Sequence, residues 1–271
     1  VDGSAAAERV AVDGDIALVA LGAGDDLLQV GAATLSGAYA GGAGSDTLRL
    51  AAAGPVVLSG TATQFESLEL GSGALTVAGT LGGAGEALTF TGGAQTLTLA
   101  AGSSLPGSVN LGDGDDRFRI AQGGGLAGTL SGGRGNDVAE LAIGDGLTLA
   151  GSLLDFEQVV TAGSGTLTVA QGSTLATPQV LLGAGDSRLV IDGGFAGGIS
   201  GGGGRHTIAV TGGSAGRPVA VTNLAGIAEL QVAGGWSTLS GRAVLDRLAM
   251  SGGRFVGLAG STLSAAQIVV G

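Results

Sequence analysis

Short stretches in which every second residue is apolar recur along the chain, and glycine-rich turns separate them. They include LLQV at Leu27–Val30, TLRL at Thr47–Leu50, RFRI at Arg117–Ile120, RLVI at Arg188–Ile191 and HTIAV at His206–Val210. Period-two alternation belongs to a strand with one buried face. It turns Phe118 and Ile120 inward and leaves Arg117 and Arg119 to water. Leu28 and Val30, Leu48 and Leu50, Leu189 and Ile191, and Ile208 and Val210 take the same inward slots. No window shows the 3.6-residue period of a helix, and glycines recur too often to permit one.

The turns recur as regularly as the strands. Gly-x-Gly turns begin at Gly22 and Gly42, at Gly112 and Gly133, and at Gly183 and Gly202, separations of 20, 21 and 19 residues. A turn plus a strand repeating about every 20 residues describes a β-solenoid, in which each rung contacts only its neighbours. The expected fold is therefore all-β: a parallel β-helix with rungs of about 20 residues, its apolar slots stacked as ladders.

A longer recurrence overlies the rungs. Three repeat units span approximately 21–110, 111–181 and 182–271, and residues 1–20 read as the tail of an incomplete one. Their starts at Gly22, Gly112 and Gly183 lie 90 and 71 residues apart. The two intervals differ by about one rung, the kind of length change a solenoid accepts most readily. Phe65, Phe156 and Ile227 hold corresponding places in the three units. The sequence is expected to form one solenoid segment cut from a longer chain, since it starts and stops in mid-pattern.

Composition narrows the picture. Glycine supplies 58 of 271 residues without a three-residue period, which excludes collagen. A hydrophobic fraction of 44% argues for a buried core rather than disorder. The net charge of −11 argues against nucleic acid and anionic membrane as partners. There are no cysteines, hence no disulfides or thiolate metal sites. No apolar run approaches the length of a membrane-spanning helix.

The turns carry the main candidate chemistry. GGAGSDTLR from Gly41 matches the GGxGxDxUx nonapeptide of calcium-binding RTX β-rolls, and GGRGNDVAE from Gly132 matches except that Ala139 holds the aliphatic slot. LGAGDDLLQ from Leu21 and LGDGDDRFR from Leu111 lack only the first glycine. Glycines let carbonyl oxygens turn toward a cation, and the aspartate adds a hard oxygen ligand. Two rows follow as candidate Ca²⁺ sites: Asp25 and Asp26 over Asp46, and Asp113, Asp115 and Asp116 over Asn136 and Asp137. In the third pair Ser187 and His206 replace the aspartates, so that site is expected to be lost. The competing reading is a plain tight turn whose aspartates bond backbone N–H groups. Calcium is the only cofactor the turns suggest. An EF-hand is excluded because Gly124 stands where its bidentate glutamate is required.

Catalysis has little support. The lone histidine, His206, lies in a glycine-rich turn with no neighbouring aspartate and reads as a solvated turn residue. Glu66, Glu69 and Glu157 are expected to face solvent. A polysaccharide lyase or hydrolase built from carboxylates on adjacent rungs should break the repeat locally with clustered acids and aromatics, and no such cluster appears. Trp236 and Tyr39, single members of their types, read as core or turn-covering residues. The expectation is a protein that is not an enzyme.

GSGALTVAGTL (Gly71–Leu81) and GSGTLTVAQGSTL (Gly163–Leu175) resemble the GxGTLTLxG repeats of bacterial autotransporter passenger domains, and the lead-ins at Phe65 and Phe156 fit the same pattern. The resemblance implies a right-handed parallel β-helix exported to the outer-membrane surface of a Gram-negative bacterium, or beyond it, as an adhesin or display stalk. It implies as partner a host-cell or other surface ligand, or a neighbouring bacterial surface. Self-association through open solenoid ends is a further expectation. The RTX-like turns depart from the commonest passengers and leave a calcium-binding secreted adhesin or S-layer-like protein as the alternative.

Overall fold

In the computed structural model, which describes every residue except Ser72, strands and turns account for the whole pattern and no helix occurs among the described residues. Ser72 belongs to the Gly71–Leu81 motif and lies outside the described residues. The strands pair in parallel as a β-solenoid, in two compact units, Val1–Asp137 and Val138–Gly271.

In Val1–Asp137 each turn of chain gives one strand to each of three parallel columns. The first is a six-stranded sheet of Leu18–Ala23, Ala38–Ala43, Thr61–Thr63, Thr80–Leu81, Ser104–Leu105 and Gly125–Leu126. A second stacks Arg9–Val12, Leu27–Val30, Thr47–Leu50, Ser67–Leu70, Ala87–Thr91, Ser108–Asn110 and Thr129–Ser131. A third stacks Thr34–Leu35, Val56–Leu58, Ala74–Val77, Thr96–Leu99 and Arg117–Ile120. Three short strands per rung explain why alternation never lasts beyond four to six residues: each corner resets it.

Alternation fixes the buried face as expected. Leu28, Val30, Leu48, Leu50, Phe118 and Ile120 are all buried, while Arg117 and Arg119 are exposed. The shared slot, however, divides in two. Leu28 and Val30 pair with Leu48 and Leu50, which pair with Leu68 and Leu70, in the second column. Phe118 and Ile120 pair with Leu97 and Leu99 in the third. The 90 residues from Gly22 to Gly112 are not a whole number of rungs, so the same motif returns at a different corner.

Val138–Gly271 uses the same three-column scheme with tighter corners. Leu147–Leu149, Gly165–Val169, Ser187–Ile191 and His206–Val210 form one column, continued by Glu229–Val232, Arg247–Met250 and Gln267–Val270. Elsewhere strands run through the corners, as in Thr174–Leu182, Val219–Val232 and Arg242–Met250, with register shifts where they bend. The expected stacking of Leu189 and Ile191 on Ile208 and Val210 is present.

Leucine, valine and isoleucine fill both interiors, with Tyr39, Phe90, Phe118 and Phe156 the largest fully buried side chains. Each such aliphatic side chain contributes roughly 1.5–3 kcal/mol when removed from water. Phe65, Phe156 and Ile227 are all buried, as their corresponding places imply.

Candidate functional site

The glycine–aspartate turns form two rows at different corners of Val1–Asp137. One row precedes the second column and the other precedes the third. Their glycines are required twice over. Gly44 and Gly135 have φ of +145° and +146°. A Cβ on either would fall 1.9 or 1.8 Å from the carbonyl oxygen of Gly24 or Gly114 one rung below. The turns therefore nest at backbone contact, and their acids reach the adjacent rung.

In the first row Asp25 Oδ1 accepts the Ser45 N–H at 2.9 Å, and Asp46 Oδ1 accepts the Asp26 N–H at 2.8 Å. One carboxylate reaches forward and the other back, so each rung is stapled reciprocally to the next. Asp26 Oδ1 accepts the Glu8 N–H at 2.7 Å, and Glu66 Oε2 accepts the Asp46 N–H at 2.7 Å. The row thus runs Glu8, Asp26, Asp46, Glu66 across four rungs. Glu66 is exposed, as expected, and still caps the stack.

The second row repeats the device. Asp115 Oδ1 accepts the Asn136 N–H at 2.9 Å and Asp137 Oδ1 accepts the Asp116 N–H at 2.7 Å. Asp116 Oδ1 accepts the Gln95 N–H at 2.6 Å, which extends the row downward. Asp113 pairs as a parallel bridge with Arg134, its carboxylate 4.0 Å from that guanidinium, and both side chains are exposed. These bonds replace ladder hydrogen bonds that the corners interrupt, and a charged acceptor makes them stronger than neutral ones. Glu8 and Gln95 were missed by motif reading because neither follows a Gly-x-Gly turn. Each contributes to its row only its backbone N–H, which any residue but proline would supply, so their side chains give no signal.

The third row keeps half of the staple. Asp186 Oδ1 accepts the Arg205 N–H at 2.7 Å, while Ser187 pairs in register with His206. His206 is fully buried, which corrects its reading as a solvated turn residue: it occupies the inward-facing slot that aspartate holds in the other rows. Neither ring nitrogen has a hydrogen-bond partner. Trp236 is not a core residue. It is 37% exposed, with the Arg254 guanidinium 4.7 Å from its ring centroid. Tyr39 is buried and its hydroxyl donates to Asp15, which also accepts the Ser36 N–H and hydroxyl.

Burial sets the electrostatics of the rows. Asp116 is pushed up to about 6, by burial first and then by the charges of Asp137 and Asp115. Burial also raises Asp46, with Asp26, Glu66 and Asp25 adding repulsion. Hydrogen bonds from Ser36 and Tyr39 hold Asp15 below the ordinary value. Burial and Asp15 push Tyr39 up to about 12.

All eight candidate calcium ligands are thus placed at the two corners: Asp25, Asp26 and Asp46 at one, and Asp113, Asp115, Asp116, Asn136 and Asp137 at the other. The Oδ1 atoms of Asp25, Asp26, Asp46, Asp115, Asp116 and Asp137 are committed to backbone amides, and among the described residues no three acids or histidines converge as a metal-holding group. The second carboxylate oxygens of Asp26, Asp46 and Asp116 are buried without a partner. No family model, curated relative or solved structure matches the chain.

Proposed function

We propose that the chain is a non-enzymatic, surface-exposed β-solenoid segment of an autotransporter-like passenger, acting as a stalk or adhesin at a Gram-negative cell surface. The observation that carries this reading is the use to which the acids are put. In the turn rows they bond the backbone of the adjacent rung, which makes them braces of a repeat rather than groups aimed at a reacting atom. The GxGTLTLxG-like motifs supply the link to passengers, and lack of cysteine suits a chain that crosses an oxidising compartment unfolded.

The test is display. The chain would be placed between an export signal and an autotransporter barrel in a Gram-negative host. Intact cells should expose it to added protease and gain adhesion to a surface or to epithelial cells. Retention inside the cell, or depolymerisation of polysaccharide by the purified chain, would overturn the reading.

One observation favours the calcium-braced adhesin or S-layer-like alternative: the unpartnered buried oxygens of Asp26, Asp46 and Asp116. If those oxygens face Ca²⁺, millimolar Ca²⁺ should raise the melting temperature, and the double substitution Asp46→Ala with Asp137→Ala should abolish the rise.

A further inference from the structure

Within Val138–Gly271 three successive rungs enclose an open groove of about 790 Å³. It exists because the strand Val219–Val232 slips register: Leu224 pairs with Ala243 and Ile227 with Leu245, so two residues, Ala225 and Gly226, stand opposite one. These small, exposed residues form a shallow floor.

Arg205 and Arg242 line this floor from different rungs. Thr207 pairs with Glu229, which pairs with Arg247, so Arg205 lies two rungs before the Arg242–Met250 strand. That separation is roughly 10 Å along the stack, and Arg242 is offset along its own strand by a further distance of roughly 10 Å. The two cations therefore flank the groove diagonally. Both backbones are fixed, Arg205 N–H on Asp186 Oδ1 at 2.7 Å and Arg242 N–H on Asn223 Oδ1 at 2.9 Å.

Their guanidiniums, by contrast, are exposed and have no partner among the described residues. Four other arginines are engaged: Arg49 by Glu69, Arg188 by Gln231, Arg247 by Glu229, and Arg254 by Trp236. Two uncommitted guanidiniums in one groove, in a chain of net charge −11, mark a local reversal of sign. Asp246 is the one acid of the lining and is also exposed.

We infer that this groove binds an extended anionic polysaccharide, with Arg205 and Arg242 each holding a carboxylate or sulfate on separate sugar residues. Guanidinium matches either anion through paired hydrogen bonds. Asp246, an acceptor only, requires a donor from the ligand, which a sugar hydroxyl supplies. The Asn223 amide adds donors on the same rim. An acidic peptide fits less well. The strand of the floor is paired on both edges, which precludes strand addition. The inference rests on the adhesin reading only for where such a glycan would be met.

The test is calorimetric titration of the whole chain with four probes: tetragalacturonate, its neutral methyl ester, a sulfated tetrasaccharide and tetra-aspartate. At least one anionic sugar should bind, and the two sugars distinguish carboxylate from sulfate as the recognised group. The neutral ester should bind about tenfold more weakly or worse. Arg205→Gln and Arg242→Gln should each weaken anionic-sugar binding by about tenfold at unchanged melting temperature. Arg9→Gln, an exposed arginine of the other unit, should leave it unaltered. No binding by either anionic sugar, equal loss in Arg9→Gln, or tetra-aspartate binding as tightly as the sugar would overturn the proposal. None of those results touches the stalk reading, which depends on surface display and the absence of turnover.

Discussion

At the scale of single residues, the structure converts two sequence features into opposite sensitivities. Asp116 is held by the fold near 6, above the ordinary aspartate value of 3.8. The unfolded chain therefore gives up that proton first as pH rises. Below 3.8 both states are protonated and the group makes no difference. Between 3.8 and about 6 stability falls with rising pH, and above 6 the full cost persists. Two pKa units correspond to about 3 kcal/mol, which screening by nearby solvent reduces to about 1–2. Asp116→Asn keeps an oxygen for the Gln95 N–H and removes the charge. It should raise the melting temperature at pH 7 by a few degrees and flatten its rise on acidification from pH 7 to 5, as followed by circular dichroism. A variant with the wild-type pH slope would show that Asp116 is not strained by its charge. Glycine responds the other way. Gly135→Ala adds a Cβ at φ +146° and 1.8 Å from the Gly114 oxygen, whereas Gly54 has open space around it. Gly135→Ala should lose about 2–4 kcal/mol in urea titration, with Gly54→Ala close to neutral.

At the scale of the strand and its turn, the acid rows can be told apart from metal sites by substitution. Asp46→Asn retains an Oδ1 for the Asp26 N–H and removes a charge that burial and the neighbouring acids disfavour, so it should be neutral to mildly stabilising. Asp46→Ala leaves that buried donor unpaired and should cost about 1–3 kcal/mol. A calcium ligand would show a different pattern: Asn would also be damaging, but only with millimolar Ca²⁺ present. Paired melts of wild type, Asn and Ala variants in Ca²⁺ and in EDTA separate the two. How far this was legible in the sequence follows from the same elements. The inward slots were legible because burial on one face forces alternation, as at Arg117–Ile120. The rung length was legible because nested turns tolerate only glycine at Gly44 and Gly135. The corner was not legible, since nothing in LGDGDDRFR says whether its strand opens the second column or the third. Only the pairing of Phe118 with Leu97 rather than with the Leu28 ladder decides it. The reach of Glu66 and the backbone amides that Glu8 and Gln95 lend to the rows were hidden for a related reason: each depends on which residue lies one rung away. The burial of His206 was hidden because a glycine-rich turn looks solvated until the next rung covers it.

At the scale of the whole molecule, charge and apolar surface are unevenly placed. Val1–Asp137 carries 14 acidic residues against five arginines, and Val138–Gly271 carries eight against six. Repulsion between copies is therefore weakest where the second unit is concerned. That unit also holds the strand Thr262–Val270, which pairs along one edge with Arg242–Met250 and on its other edge has no strand partner among the described residues. Ile268 is 59% and Val270 73% exposed there. An unpaired parallel edge flanked by exposed aliphatic side chains is a template for another strand. The purified chain should self-associate with rising concentration in sedimentation velocity, and Ile268→Lys combined with Val270→Lys should hold it monomeric over the same range. Salt separates this from charge-driven contact. Apolar edge pairing persists or strengthens in sulfate, whereas attraction between oppositely charged patches weakens. A wild type that stays monomeric at all concentrations, or a double variant that associates as the wild type does, would remove the edge strand as the cause.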